Sequence, residues 1–209
     1  MKEFEIAKNL IEKAKKITVI QAENPDGDSL GSALALEEIL GEADKEVQLF
    51  CPVDIPKYLR YFSGWDRISD NLWPSDLFVI VDTASQILLS KIWENPLYRN
   101  LLEKTPILVI DHHTYATPDL EFSHEIILKE ASSCAEVIFD FAKNSGFEIN
   151  QQAAEHLMGA ILSDTLGFST QNVSPETFEI ASQLTKLGAS TAKIEEARRE
   201  FSKKSPEIL

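Results

Sequence analysis

Basic residues are scarce in this 209-residue chain: 20 Lys and Arg stand against 34 Asp and Glu, for a formal net charge of −14. Proteins that track long nucleic acids do so through basic surfaces that displace counterions, so this balance excludes a long-tract binder. A small anionic substrate held through metal ions is still allowed, because bound cations invert the local field. Cysteine is almost absent. Cys51 and Cys134 form no metal-type pair, which excludes a disulfide framework and fits a reducing compartment. No apolar run approaches the ~18 residues of a membrane span, and no apolar leader follows a basic start. Together these absences describe a cytoplasmic protein with no membrane partner. There is no internal repeat and no low-complexity stretch.

What is present is an ordinary globular composition, 44% hydrophobic and 26% charged. A chain of this length buries roughly 70% of the surface its unfolded form exposes, so it needs no staples. Residues 2–15 carry apolar positions at helical spacing. "ITVIQA" (17–22), "EVQLF" (46–50), "LFVIVD" (77–82), "PILVID" (106–111) and "EIILK" (125–129) are short, nearly solid apolar runs, as in strands buried on both faces. "GDSLGSALALEEIL" predicts a helix ending near Gly41. Further helices are predicted at 133–145, 151–163, 175–187 and about 191–201. Residues 52–75 hold Pro52, Pro56 and Pro74 and a turn at "SGWD". The alternation predicts an α/β fold: a mainly parallel sheet of about five strands, helices on both faces and a helical last third.

In open parallel sheets ligands sit beyond the carboxyl ends of the strands. Acidic and imidazole groups collect at such ends here. Asp26 and Asp28 follow the first strand in "NPDGDSLGSALAL", Asp82 closes the third in "VIVDTAS", and Asp111, His112 and His113 close the fourth in "VIDHHTYA". Asp164 adds a further carboxylate in "AILSDTLGFST". Taken singly, an Asp beside Gly is a turn former or helix N-cap. Taken together, converging carboxylates repel one another unless cations lie between them. Oxygen ligands with one or two imidazoles suit Mn²⁺ or Mg²⁺ better than a thiolate-seeking metal. His124 and His156 lack partners and are assigned to structure or surface, and Trp65, Trp73 and Trp93 to packing. "SSCAE" has the pattern of a capping box at a helix start, with Ser132 or Ser133 as the cap.

These four segments, in this order, resemble the DHH family of phosphoesterases, whose Asp-His-His is Asp111, His112 and His113 here. The resemblance runs from about residue 1 to 200. It is nearest the branch of nanoRNases and phosphoadenosine-phosphate phosphatases; exopolyphosphatases and family II pyrophosphatases are more distant. It implies two Mn²⁺ ions, with Mg²⁺ as an alternative, and a short oligonucleotide or nucleotide as substrate. Asp82 would bridge the ions; Asp28, His112 and Asp164 would complete one site and Asp26 would serve the other. His113 would contact the scissile phosphate, Asp111 would orient the imidazoles, and Ser32 would lie near an anion at the start of the helix. The catalytic set is then Asp82, Asp111 and His113. A homodimer is compatible with the resemblance.

Two departures accompany it. The family pattern begins with a His four residues before the first Asp of the pair, where this chain has Ala22. Weakened metal binding at that site is the expectation, with a catalytically impaired nucleotide- or metal-binding relative as the extreme case. The family also continues into a smaller substrate-binding domain. Residues 1–200 are thus expected to form the phosphoesterase domain, and 201–209, "FSKKSPEIL", the start of a linker to a C-terminal domain missing here. Arg198, Arg199, Lys203 and Lys204 would be a helix C-terminal charge set or the start of a substrate-facing linker.

Overall fold

The computed structural model describes residues 2–204, with side chains through Phe201. Five parallel strands form one sheet in the order β2-β1-β3-β4-β5. They are β1 (Lys16–Ile20), β2 (Glu46–Phe50), β3 (Leu77–Val81), β4 (Ile107–Asp111) and β5 (Glu125–Leu128). Every strand predicted from sequence is present. β1 stops earlier than expected: Gln21 still donates its N–H to Phe50, at 3.0 Å, but Glu23 turns away to pair with the Leu88 carbonyl. β3 and β4 are buried along their whole length, which is why their runs are solid rather than alternating.

One face of the sheet carries α1 (Lys2–Lys13), α2 (Gly27–Glu42), α5 (Cys134–Ser145) and α6 (Gln151–Asp164) over a large apolar core that includes Ile11, Val19, Leu34, Val79, Ile110, Phe141 and Leu157. The other face is covered by α3 (Ser90–Trp93) and α4 (Pro96–Lys104) over a smaller core around Ile20, Phe50, Phe78, Ile92, Leu102 and Val109. The sequence reading contains neither helix, because they are too short to show a period. A local signal for α4 exists in "NP": Asn95 caps it by accepting from the Leu97 N–H at 3.0 Å, and Pro96 fills its first turn. The tryptophan reading holds for Trp65 under Arg60 and for Trp93 against Phe122. It fails for Trp73, which is 62% exposed.

α7 (Pro175–Lys186) and α8 (Thr191–Lys204) complete the helical last third. Residues 201–204 continue α8. The remainder of the expected linker, and the side chains of Lys203 and Lys204, lie outside the described residues.

Two features bring the functional segments together. The chain leaves β1 for β2 on one side and returns to β3 on the other, so the loops after β1 and β3 diverge and open a crevice at the carboxyl edge. Beside it, α2 packs tightly on α6 through Gly31. A methyl at Gly31 would lie 2.8 Å from the Ala160 Cβ and 2.9 Å from the His156 carbonyl oxygen, closer than real contacts allow. That approach draws Asp28, at the start of α2, toward Asp164, at the end of α6.

Candidate metal centre

His112 stands at the middle of the crevice. Its Nδ1 is 3.1 Å from the Ala131 carbonyl oxygen. A carbonyl can only accept, so Nδ1 is the donor that fixes the ring and Nε2 is the atom turned into the crevice. Nε2 faces three carboxylates: Asp82 Oδ1 at 3.4 Å, Asp28 Oδ2 at 3.8 Å and Asp164 Oδ2 at 3.9 Å. Three carboxylates gathered this closely repel one another unless positive charge lies among them.

Each carboxylate is delivered by a different element. Asp28 is fully buried in the first turn of α2. Its Oδ2 accepts from the Cys134 N–H at 2.6 Å, and its Oδ1 from the Ala135 N–H at 3.2 Å and the Ser32 hydroxyl at 3.3 Å. The N-terminus of α5 therefore holds Asp28 in place, and Ser32, itself fully buried, serves that carboxylate. Asp82 follows β3 with a left-handed φ of 64°, which turns its side chain into the crevice. That side chain is 7% exposed, and its Oδ1 has no hydrogen-bond partner. Asp164, 31% exposed, closes α6.

Burial, reinforced by mutual repulsion, makes these carboxylates reluctant to ionise. The Asp28 carboxyl is pushed up to about 7, first by burial and then by Asp164 and Asp26, against the lowering effect of His112. Asp82 is raised well above the usual carboxylate range by burial and by Asp28, Asp26, Asp111 and Asp164. Asp164 is raised mainly by burial. A partnerless buried oxygen, an imidazole nitrogen among acids and three carboxylates whose ionisation burial opposes fit a divalent cation with oxygen and nitrogen ligands. Among the described residues two candidate ligand groups share His112: Asp28, His112 and Asp164; and Asp82, His112 and His113.

Asp111 has a different role. Burial alone would raise its carboxyl, but His113 and the two backbone amides hold it below the ordinary value. Its Oδ1 accepts from His113 Nδ1 at 2.7 Å and from the N–H groups of His112 and His113 at 2.8 and 3.2 Å. It fixes the His113 ring directly, while the His112 ring is fixed by Ala131. Asp26 is exposed and caps α2: it accepts from the Ser29 N–H at 2.9 Å, and the Ser29 hydroxyl accepts from the Asp26 N–H at 3.0 Å. Its charge nevertheless reaches Asp28, Asp82 and Asp164. Ala22 is buried and offers no ligand, and Glu23 is tied to Ser90 and to the Lys91 N–H.

The sequence reading missed the anchors supplied by Ala131, Cys134 and Ala135. "SSCAE" was the available signal, since it marks the helix start whose amides receive Asp28. Ser133 is the cap, accepting from the Glu136 N–H at 3.3 Å; the Glu136 carboxylate turns to Ser132 rather than back to Ser133.

Residues 16–162 match the model of the DHH family, N-terminal domain. The chain belongs to the DHH family. Within this DHH domain the name-giving residues are Asp111, His112 and His113, at the end of β4. A Streptococcus mutans relative, named as a probable bifunctional oligoribonuclease and PAP phosphatase, is 29% identical over 78% of this chain and 49% of its own length. A Bacillus cereus relative, named as a probable manganese-dependent inorganic pyrophosphatase, is 26% identical over 83% of this chain and 55% of its own. The chain thus spans about half the length of the curated relatives it matches. An exopolyphosphatase-related protein of Bacteroides fragilis shares the fold, with a TM-score of 0.80 at 24% identity over 94% of this chain and 60% of that one.

Proposed function

We propose that this DHH domain performs divalent-cation-dependent hydrolysis of phosphoester bonds in short oligonucleotides or small nucleotides. The observation that carries the reading is the His112 ring, anchored through Nδ1 on Ala131, with Nε2 facing the carboxylates of Asp28, Asp82 and Asp164. The name of the Streptococcus mutans relative supplies the substrate class. Asp28, Asp82, His112 and Asp164 hold the cation, and Asp26 stands ready to assist a second one. Mn²⁺ suits the mixed oxygen and nitrogen set, with Mg²⁺ as the alternative. A divalent ion there supplies charge neutralisation and a more acidic water for in-line attack on phosphorus.

The chain's own residues do the rest. Asp111 stays ionised and accepts from His113 Nδ1, which fixes the ring; an N–H at Nε2 as well would then donate to a phosphate oxygen. Asp28 is held by α5, so this ligand is already in place to receive an ion. Among the described residues no helix is long and apolar enough to cross a membrane; a cytoplasmic location is part of this proposal.

The test is a substrate panel of 5′-phosphorylated dinucleotides and phosphoadenosine phosphate with and without Mn²⁺. Hydrolysis that needs the ion and vanishes in Asp82→Ala is the expected result; no turnover of any member overturns the reading. A second reading, hydrolysis of inorganic pyrophosphate or polyphosphate, is favoured by the name of the Bacillus cereus relative, and the same panel includes those substrates.

A further inference from the structure

Next to the metal centre lies a cavity of about 480 Å³ between the turn at 57–59, the end of α6 and α8. Its volume falls within the range of small-ligand pockets. Ser163 and Leu166 in its wall flank Asp164 in the chain, and Tyr58 on its rim is close enough to feel the charge of Asp26. The cavity therefore lies on the α6 side of the carboxylate cluster, while Asp82, Asp111 and His113 line a separate, smaller cleft on its other side.

Its lining is chemically unlike that cluster. Tyr58 is 48% exposed and Leu166 is 70% exposed, so aromatic and apolar surface is presented to solvent instead of to the core. Leu166, Gly167 and Phe168 all have left-handed backbones, with φ of 47°, 70° and 67°. That conformation is costly for Leu and Phe, and such strain concentrates at functional sites. α8 contributes Arg198, paired with Glu195 at 2.7 Å, and the exposed Arg199. Two guanidinium groups at one opening are notable in a chain with net charge −14.

An inorganic phosphate substrate would leave Tyr58 and Leu166 without use. A nucleotide would use them, because a base stacks on an aromatic ring and an Arg pairs with phosphate or stacks on the base. The geometry points to this cavity as the subsite for the nucleotide unit adjoining the scissile phosphate, with Tyr58 and Arg199 selecting nucleotide over inorganic substrates. The inference rests on the phosphoesterase reading above.

Calorimetric titration of the full chain, with Ca²⁺ present to slow turnover, tests it. The probes are a 5′-phosphorylated dinucleotide and inorganic pyrophosphate. Tyr58→Ala and Arg199→Glu should each weaken dinucleotide binding by about tenfold, within the range for losing one stacking contact. Pyrophosphate affinity should move less than twofold, and Tyr58→Phe should bind the dinucleotide as the wild type does. Metal content and melting temperature, measured alongside, verify that the variants are folded and loaded. Unchanged dinucleotide affinity overturns the subsite, as does equal weakening for both probes. A wild-type chain that takes up Mn²⁺ but binds no dinucleotide overturns the substrate reading itself, and one that takes up no Mn²⁺ overturns the metal centre.

Discussion

Asp28 and Asp82 face the same imidazole nitrogen, yet the protein treats them in opposite ways. Asp28 sits on the helical side, where the first amides of α5 and the Ser32 hydroxyl give it three donors. Asp82 sits on the strand side, in a left-handed backbone, with one buried oxygen that has no donor. The first carboxylate belongs to the fold and would stay in place without metal. The second is balanced only when a cation arrives. One centre thus combines a structural anchor with a purely functional charge, and the two respond differently to mutation.

The largest contrast is expected between Asp28→Ala and Asp82→Asn. Both should abolish Mn²⁺-dependent hydrolysis. Asp28→Ala should also destabilise the metal-free protein by about 3 kcal/mol, since it strands two buried N–H groups at the start of α5. Asp82→Asn should leave metal-free stability unchanged or raise it by about 1 kcal/mol, because Asn tolerates the left-handed backbone and carries no buried charge. Denaturant melts in EDTA measure both, and equal losses in the two variants would erase the distinction.

A smaller effect should appear with pH. Burial raises the Asp28 carboxyl in the folded protein to about 7 from an ordinary value of 3.8. A raised acid stabilises the fold most fully below its unfolded value, and that contribution is lost as pH rises through the folded one. Relative to Asp28→Asn, the metal-free wild type should therefore lose stability between pH 4 and pH 7. Using the difference cancels His156, whose burial lowers its imidazole to about 4 and acts in the opposite direction. Mn²⁺ should flatten the difference, and a flat metal-free difference would mean that Asp28 ionises freely.

The smallest effect is expected from Ala22→His. An added imidazole at the end of β1 should tighten the weaker Mn²⁺ site by about tenfold, or 1.4 kcal/mol. Unchanged affinity in a calorimetric titration would show that position 22 does not reach the ion.

Much of this was legible in the chain. Solid apolar runs announced the parallel strands, and acids at their carboxyl ends announced the crevice, because topology alone brings such ends together. The short helices α3 and α4 escaped notice because four and nine residues are too few to show a period. The division of labour within the centre was also hidden. Nothing local to "DGD" reveals that Asp26 spends one oxygen on capping while Asp28 reaches the amides of α5. Nor does "DHH" reveal that one ring is held by Asp111 and its neighbour by Ala131. Those partnerships are made across the fold, so periodicity and spacing do not encode them.

The bond from the Cys134 amide to Asp28 joins positions 106 residues apart, and this has a consequence for how the molecule comes into being. The paired aspartates leave the ribosome before α5 and α6, in a segment that can already form a strand and a helix. They cannot act as a metal site until α5 supplies its amides and α6 delivers Asp164. Until those helices emerge the growing chain carries this acidic motif in silent form. Its competence to take up an ion should emerge late, in step with the slow long-range contacts that complete the domain.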